Sequence, residues 1–503
     1  MGSDQPVHAA QMGEKRQAAS IAPSSLEPPH QHDSSTFTPE EWALDKAAVR
    51  RLDYTVLPVC AVVYLLNFLD RSKIGNAKIA GLAVDLKLTP HQYLVCITAS
   101  YILYIAAEVP SNLLLKKVGP NILIPLMVTT WGLCCCFTGF VRSYGDLVAA
   151  RLILGLLEGG LFPGLVLYLS MFYRRHELQT RISLFFSAAS LSGAFSGLLA
   201  AAIVKMDGLG GKEGWRYIFF LEGGVTVVVG IACFFLLPRS PAHTRFLTPE
   251  QRAHVVRRLK LDSPAGASND FDDKFSWREV RMAATSPHVL LILVALFGNG
   301  ITLYGFSYFT PSIVSAFGYS TIKTQLLTVP PFVCAFLLTM VNAVISDRYG
   351  RRGLCAILMS LLALVGYIMF NQSLTMAVRY TALFLAITGV YSTSPALVTW
   401  LPNNSSGHYR KATAVAFGFV MTNSGGIAST WLFPSTQGPE YHQASSVLIA
   451  MTAMIIVFCA LNLAYLRHAN RKKAERRAET GGVIDTSTWH LEGDRHPHFI
   501  YSY

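Results

Sequence analysis

The chain alternates between apolar runs and short polar connections. Segments 54–69, 122–141 and 446–466 approach or exceed the length needed to cross a hydrocarbon core of roughly 30 Å. That pattern excludes a soluble fold. It predicts six spans at 54–82, 91–114, 121–140, 146–173, 180–205 and 215–237. Six more follow at 287–314, 326–346, 354–371, 376–401, 410–432 and 445–466. The expected fold is therefore an all-α membrane protein of twelve transmembrane helices in two six-helix halves, 38–237 and 287–466. A cytoplasmic linker, 238–286, joins them. Flanking tails at 1–37 and 467–503 share its side, because an even count returns the chain to where it began.

Local signals refine the ends. Thr38-Pro39-Glu40-Glu41 reads as a helix start, with a capping threonine, proline at the first position and glutamate three residues on. Residues 1–37 are rich in Ser, Pro, Gln and His and are expected to be disordered. They hold no apolar stretch of signal-peptide type. The expected location is the plasma membrane, as a multi-pass integral protein.

Composition changes the picture little and charge changes it more. Of 503 residues, 52% are hydrophobic and 14% charged, against about 25% charged in soluble proteins. The net charge of +12 sits in loops. Arg239, Arg245, Arg252, Arg257 and Arg258 begin the basic linker, and Arg471, Lys472, Lys473, Arg476 and Arg477 mark the tail. Placed in the cytoplasm, they satisfy the positive-inside rule, and nucleic-acid binding is not needed to explain them. All nine cysteines fall in apolar segments, so neither a metal nor a redox role is expected.

Against this background several intramembrane charges stand out: Asp70, Arg71, Glu108, Arg151, Glu158 and Glu222. A charge near the middle of a bilayer costs about 2.5–3.5 kcal/mol even on a lenient scale, so few persist without a cavity or a partner. Asp70 lies sixteen residues beyond Tyr54, about 24 Å up a helix. Arg151 and Glu158, seven apart, share one face of the fourth span. Gly155, Gly159, Gly160 and Gly164 make that helix thin. Both acid–base pairs are expected in the outer half of one cavity. Asp70 and Glu158 are then proton-exchanging acids, and Arg71 and Arg151 offer planar forks to a carboxylate. The plainer alternative is that Asp70–Arg151 or Arg71–Glu158 are ion pairs that lock helices together. Tyr104, Tyr304 and Asn423 are further substrate-binding candidates, and Tyr101 and Tyr308 weaker ones. Glu108 reads as structural or gating, and Glu222 is open between packing and coupling.

These residues also carry a family resemblance. Ser346-Asp347-Arg348-Tyr349-Gly350-Arg351-Arg352 resembles the Asp-Arg-x-Gly-Arg-Arg loop of the major facilitator superfamily. In that family the loop braces the inward gate, which implies gating roles for Asp347, Arg348, Gly350, Arg351 and Arg352. The first-half counterpart, Lys116-Lys117-Val118-Gly119-Pro120, departs from the pattern and implies an asymmetric gate. Phe68 to Ala77 resembles the first-helix signature of the anion:cation symporters, nearest the fungal allantoate, nicotinate and pantothenate permeases. Similar stretches recur at Glu108 to Asn112, Arg151 to Pro163, Gly214 to Gly223, Phe246 to Glu250, Asn403 to Ala412 and Asn423 to Ile427. The likeness covers roughly residues 38–470.

The resemblance implies proton-coupled uptake of a small organic anion by a monomer without cofactors. Two other readings stay open at this stage. A proton-antiport exporter would more often carry proline with the glycines of the fifth span, which here reads Ser192-Gly193-Ala194-Phe195-Ser196-Gly197. A non-transporting nutrient receptor would usually have longer cytoplasmic additions. An enzyme is not expected: the sequence lacks His-Glu-x-x-His, a phosphate-binding glycine loop and a Gly-x-Ser-x-Gly elbow.

Overall fold

A computed structural model describes residues 38–262, 277–406, 408–433, 441–479 and 492–503. The expected disordered tail, 1–37, lies outside the described residues, as do 263–276 of the linker. Among the described residues, 38–47 fall in one unit and those from 48 onward in another. In the first, Thr38 and Glu41 cap one another: the Glu41 amide donates to Thr38 Oγ1 at 3.3 Å, and the Thr38 amide to Glu41 Oε2 at 2.9 Å.

The described residues are helical throughout their regular elements. The first group comprises α1 (Pro39–Ala77), α2 (Ala83–Asp85), α3 (Pro90–Val118), α4 (Pro120–Thr138), α5 (Tyr144–Glu158), α6 (Leu161–Ser170), α7 (Arg175–Ile203) and α8 (Gly214–Leu236). The linker holds α9 (Pro249–Asp262) and α10 (Trp277–Ala284). There follow α11 (Pro287–Ser315), α12 (Thr321–Tyr349), α13 (Arg352–Gln372), α14 (Met376–Asn403), α15 (His408–Thr430) and α16 (His442–Glu479). Each expected span falls on long helix, with two interruptions that the apolar pattern did not reveal. The first span ends in a π-helical segment, Lys78–Leu82, where Gly81 takes φ +109°. The fourth is broken at Gly160, whose left-handed φ of +91° brings its Cα against Ser111 of α3.

Among the described residues, nine helices are long and apolar enough to cross a membrane. Of the helices that carry expected spans, α3, α7 and α15 fall short, and packing explains why. Helix α7 runs along α12 and α3 along α15, so these helices join the early part of the chain to the late part. Such seams take small and polar residues, because helices in lipid associate through close packing and hydrogen bonds. A Cβ at Gly197 would lie 2.5 Å from Thr328 Oγ1, and one at Gly426 would lie 2.7 Å from the Tyr101 ring. Within the early group the same device is stronger: a Cβ at Gly155 would sit 1.9 Å from the Ser100 carbonyl oxygen.

The basic linker is knitted to both groups. Arg258 of α9 forks onto both carboxylate oxygens of Glu177 at 3.1 Å and reaches the Phe172 carbonyl. Arg410 of α15 forks onto Glu279 of α10 at 3.0 and 3.2 Å and also binds Asp494 of the tail. Residues 501–503 continue this contact: Ser502 exchanges hydrogen bonds with Asn404, and the Arg352 amide donates to the Tyr503 carbonyl. The basic residues are thus not only a topological signal, since Arg258 and Arg410 are buried. Removing one partner of a buried pair costs about 3–5 kcal/mol. Arg410→Ala is therefore expected to lower the thermal stability of the purified protein markedly. Arg410→Lys recovers little, because one ammonium cannot serve Glu279 and Asp494 in the same planar geometry. A melting temperature unchanged in Arg410→Ala contradicts this role.

Candidate anion-binding cavity

Asp70 and Arg71 are neighbours on α1 but point about 100° apart, as successive helical residues must. That divergence creates two separate polar sites. Arg71 faces the later helices. Its guanidinium donates to Tyr304 Oη and, at 3.4 Å, to Asn423 Oδ1. It lies 4.7 Å from the centroid of Tyr104, 5.1 Å from Tyr304 and 5.9 Å from Tyr101. Tyr101 and Tyr308 share a 2.6 Å hydroxyl contact that closes the ring of aromatics.

This arrangement encloses a cavity of about 20 Å³ lined by Arg71, Ser100, Tyr101, Tyr104, Leu154, Glu158 and Tyr308. Its volume suits roughly one water molecule, so helices must part to admit a solute. A wider hollow of about 640 Å³ on α9 is open to solvent and has no part in this constellation.

The structure thus brings Arg71, Glu158, Tyr104, Tyr304 and Asn423 together. Tyr101 and Tyr308, the weaker candidates, line the cavity directly. Arg151 shares the buried face of α5 with Leu154 and Glu158 but is not in the cavity wall. It leans toward α8, its Cζ 6.0 Å from the Phe219 centroid, and its Nε and Nη2 have no hydrogen-bond partner among the described residues.

Neither of the locking ion pairs weighed from sequence forms among the described residues. Arg71 meets only neutral acceptors and ring faces, and one Glu158 oxygen lacks a partner. Retaining a cation and an acid without an ion pair between them in so small an enclosure is costly unless something else engages them.

Asp70 departs from the single-cavity expectation. It pairs with Lys73 one turn on, accepts from the Trp131 indole and lies 3.4 Å from Cys135 Sγ. Lys73 also stands 3.6 Å from Glu222 of α8. Lys73 is absent from the sequence candidates, although its spacing of three from Asp70 places both on one helix face. Glu108 is buried one turn beyond Tyr104, with its carbonyl against the Gly160 break.

The gate loop is described in part. Gly350 ends α12 with φ +62°, Arg348 and Arg351 are exposed, and Arg352 is buried with its Nη1 3.4 Å from the Thr399 carbonyl. The Asp347 side chain lies outside the described residues. At the first-half counterpart, Lys116 to Pro120, Gly119 ends α3 with φ +96° and ψ 143°, outside the left-handed helical region that Gly350 occupies, so the two loops differ in backbone as well as in motif.

Comparison with known proteins settles the family. Residues 60–430 match the Major Facilitator Superfamily. The chain belongs to that superfamily. An uncharacterized transporter of Schizosaccharomyces pombe is 38% identical over 445 residues, covering 87% of this chain and 86% of the relative. The high-affinity nicotinic acid transporter of Saccharomyces cerevisiae is 29% identical, covering 92% and 85%. Among solved structures, a proton:xylose symporter aligns with a TM-score of 0.67 at 15% identity, over 84% of this chain and 96% of the other. That likeness speaks to fold alone. The protein is an integral membrane transporter of the facilitator type and not an enzyme.

Proposed function

We propose that this facilitator imports a small organic monocarboxylate together with protons, by alternating access of two six-helix halves around the Arg71 cavity. The observation that carries the reading is Arg71 itself: buried, between helices from both parts of the chain, and hydrogen-bonded only to neutral groups. A carboxylate is the complement of that fork, and the tyrosine faces around it suit a flat, partly apolar body. Tyr104, Tyr304 and Asn423 orient the anion in this scheme. Arg151 adds positive potential from the next turns of α5, and Glu158 exchanges a proton beside it. Asp70 takes part in coupling from its separate site. Likeness to a nicotinic acid transporter supports a pyridine or similar ring acid as the first probe.

The test is uptake of radiolabelled nicotinate by proteoliposomes containing the purified protein. An outside-acid gradient is expected to drive accumulation above equilibrium, and a protonophore to abolish it. Nicotinate movement that ignores both the gradient and the protonophore overturns symport.

A further inference from the structure

Apart from the anion cavity, the most heavily charged enclosure in the early helices is the Asp70–Lys73–Glu222 cluster. Its three side chains are 1–3% exposed. Trp131 and Cys135 of α4 close it on one side, and Lys73 Nζ lies 2.6 Å from Cys135 Sγ. Helices α4 and α8 pack without room for side chains here, since a Cβ at Gly223 would lie 2.7 Å from the Cys136 nitrogen.

We propose that Glu222 is a second proton-carrying acid, which shares Lys73 as counter-ion with Asp70. The inference rests on the proton-coupled reading above and extends it to residues outside the anion cavity. Two carboxylates face one ammonium. With all three ionised, the cluster holds an uncompensated negative charge away from water. One proton leaves an ion pair and a neutral acid, a combination a dry site tolerates. Lys73 contacts Asp70 directly but stands 3.6 Å from Glu222, and neither Glu222 oxygen has a hydrogen-bond partner in the described residues. The proton therefore sits on Glu222 in this conformation.

The other groups facing the cluster do not cancel its charge. From α4 come Cys135 and Cys136, which are neutral as thiols. Arg151 approaches from α5 on the Phe219 ring and forms no ion pair with either acid among the described residues. Helix α7 carries no charged residue between 182 and 203. Lys78, in the π-helical segment, lies over the Tyr93 ring at 4.4 Å. That segment also packs on α8 and α11, so movement of the later helices can draw Lys73 along α8. Once Lys73 sits closer to Glu222 in a conformation open to water on the other side, the Glu222 proton passes to that water, the new carboxylate pairs with the ammonium, and the same water solvates the remaining negative charge on Asp70.

The experiment uses full-length protein in proteoliposomes with labelled nicotinate as probe. Glu222→Gln is expected to keep nicotinate exchange at equal pH within about twofold of wild type, while gradient-driven accumulation falls at least tenfold. Glu222→Asp keeps accumulation. Wild-type accumulation by Glu222→Gln overturns the proposal, as does loss of exchange in a monodisperse preparation of that variant. Should the glutamine variant aggregate, pH-difference infrared spectra of Glu222→Asp decide. A displaced protonated-carboxyl band supports Glu222 as the carrier, and an unmoved band refutes it. Wild-type exchange without accumulation instead overturns symport, and the infrared band alone then judges Glu222.

Discussion

Arg71→Lys raises the KM for nicotinate at least about tenfold, and Arg71→Met leaves uptake at background. The lysine keeps the charge, so the loss comes from geometry. The guanidinium presents a rigid fork whose plane is fixed by Tyr304, Asn423 and the Tyr104 ring. A lysine ammonium is a point charge that makes single contacts and stacks less well. A tenfold change corresponds to about 1.4 kcal/mol, within the worth of one charge-assisted hydrogen bond. Methionine keeps much of the volume but leaves the Glu158 acid without a nearby cation in the cavity. The decisive measurement is initial-rate uptake across a nicotinate concentration series, normalised to reconstituted protein. Lysine-variant kinetics equal to wild type would remove Arg71 from the anion site.

The apolar runs made the helices legible, because a 30 Å core demands long segments with few charges. Loop charges made the linker legible as a basic element. Which charges meet was harder to read. Arg151 and Glu158 stand seven positions apart, and one face of α5 does carry both. But the break at Gly160 and the lean of Arg151 toward Phe219 depend on how closely α3, α5 and α8 pack, which the run lengths do not encode. Adjacency in sequence is a poor guide to contact on a helix. Asp70 and Arg71 read as a pair in sequence, whereas helical geometry sends them to different neighbours. The informative spacing was Asp70 to Lys73. Tyr101 and Tyr308 give only a weak signal in sequence because aromatics in membrane helices so often serve packing, and their meeting across α3 and α11 reveals the enclosure.

If transport is proton-coupled as proposed, the cavity acid Glu158 is expected to give the larger pH effect of the two acidic sites. Glu158 lines the same small enclosure as Arg71, so a bound carboxylate and an ionised Glu158 are like charges in a confined space. At about 5 Å with an effective dielectric near 20, their repulsion is about 3 kcal/mol. Protonation removes that repulsion, so the nicotinate KM of the wild type falls as the medium is acidified and rises as it is made alkaline. Glu158→Gln mimics the protonated acid permanently. Its KM at alkaline pH is expected to drop at least about tenfold below that of wild type and to vary little with pH. Exchange persists in this variant, while accumulation driven by the gradient weakens because one proton-binding step is lost. The check is KM for exchange measured across pH with equal pH on both sides, which removes the gradient as a driving force. A glutamine variant whose KM still tracks pH as wild type does would show that Glu158 is not the acid the anion meets, and would move proton coupling to the Asp70–Lys73–Glu222 cluster alone.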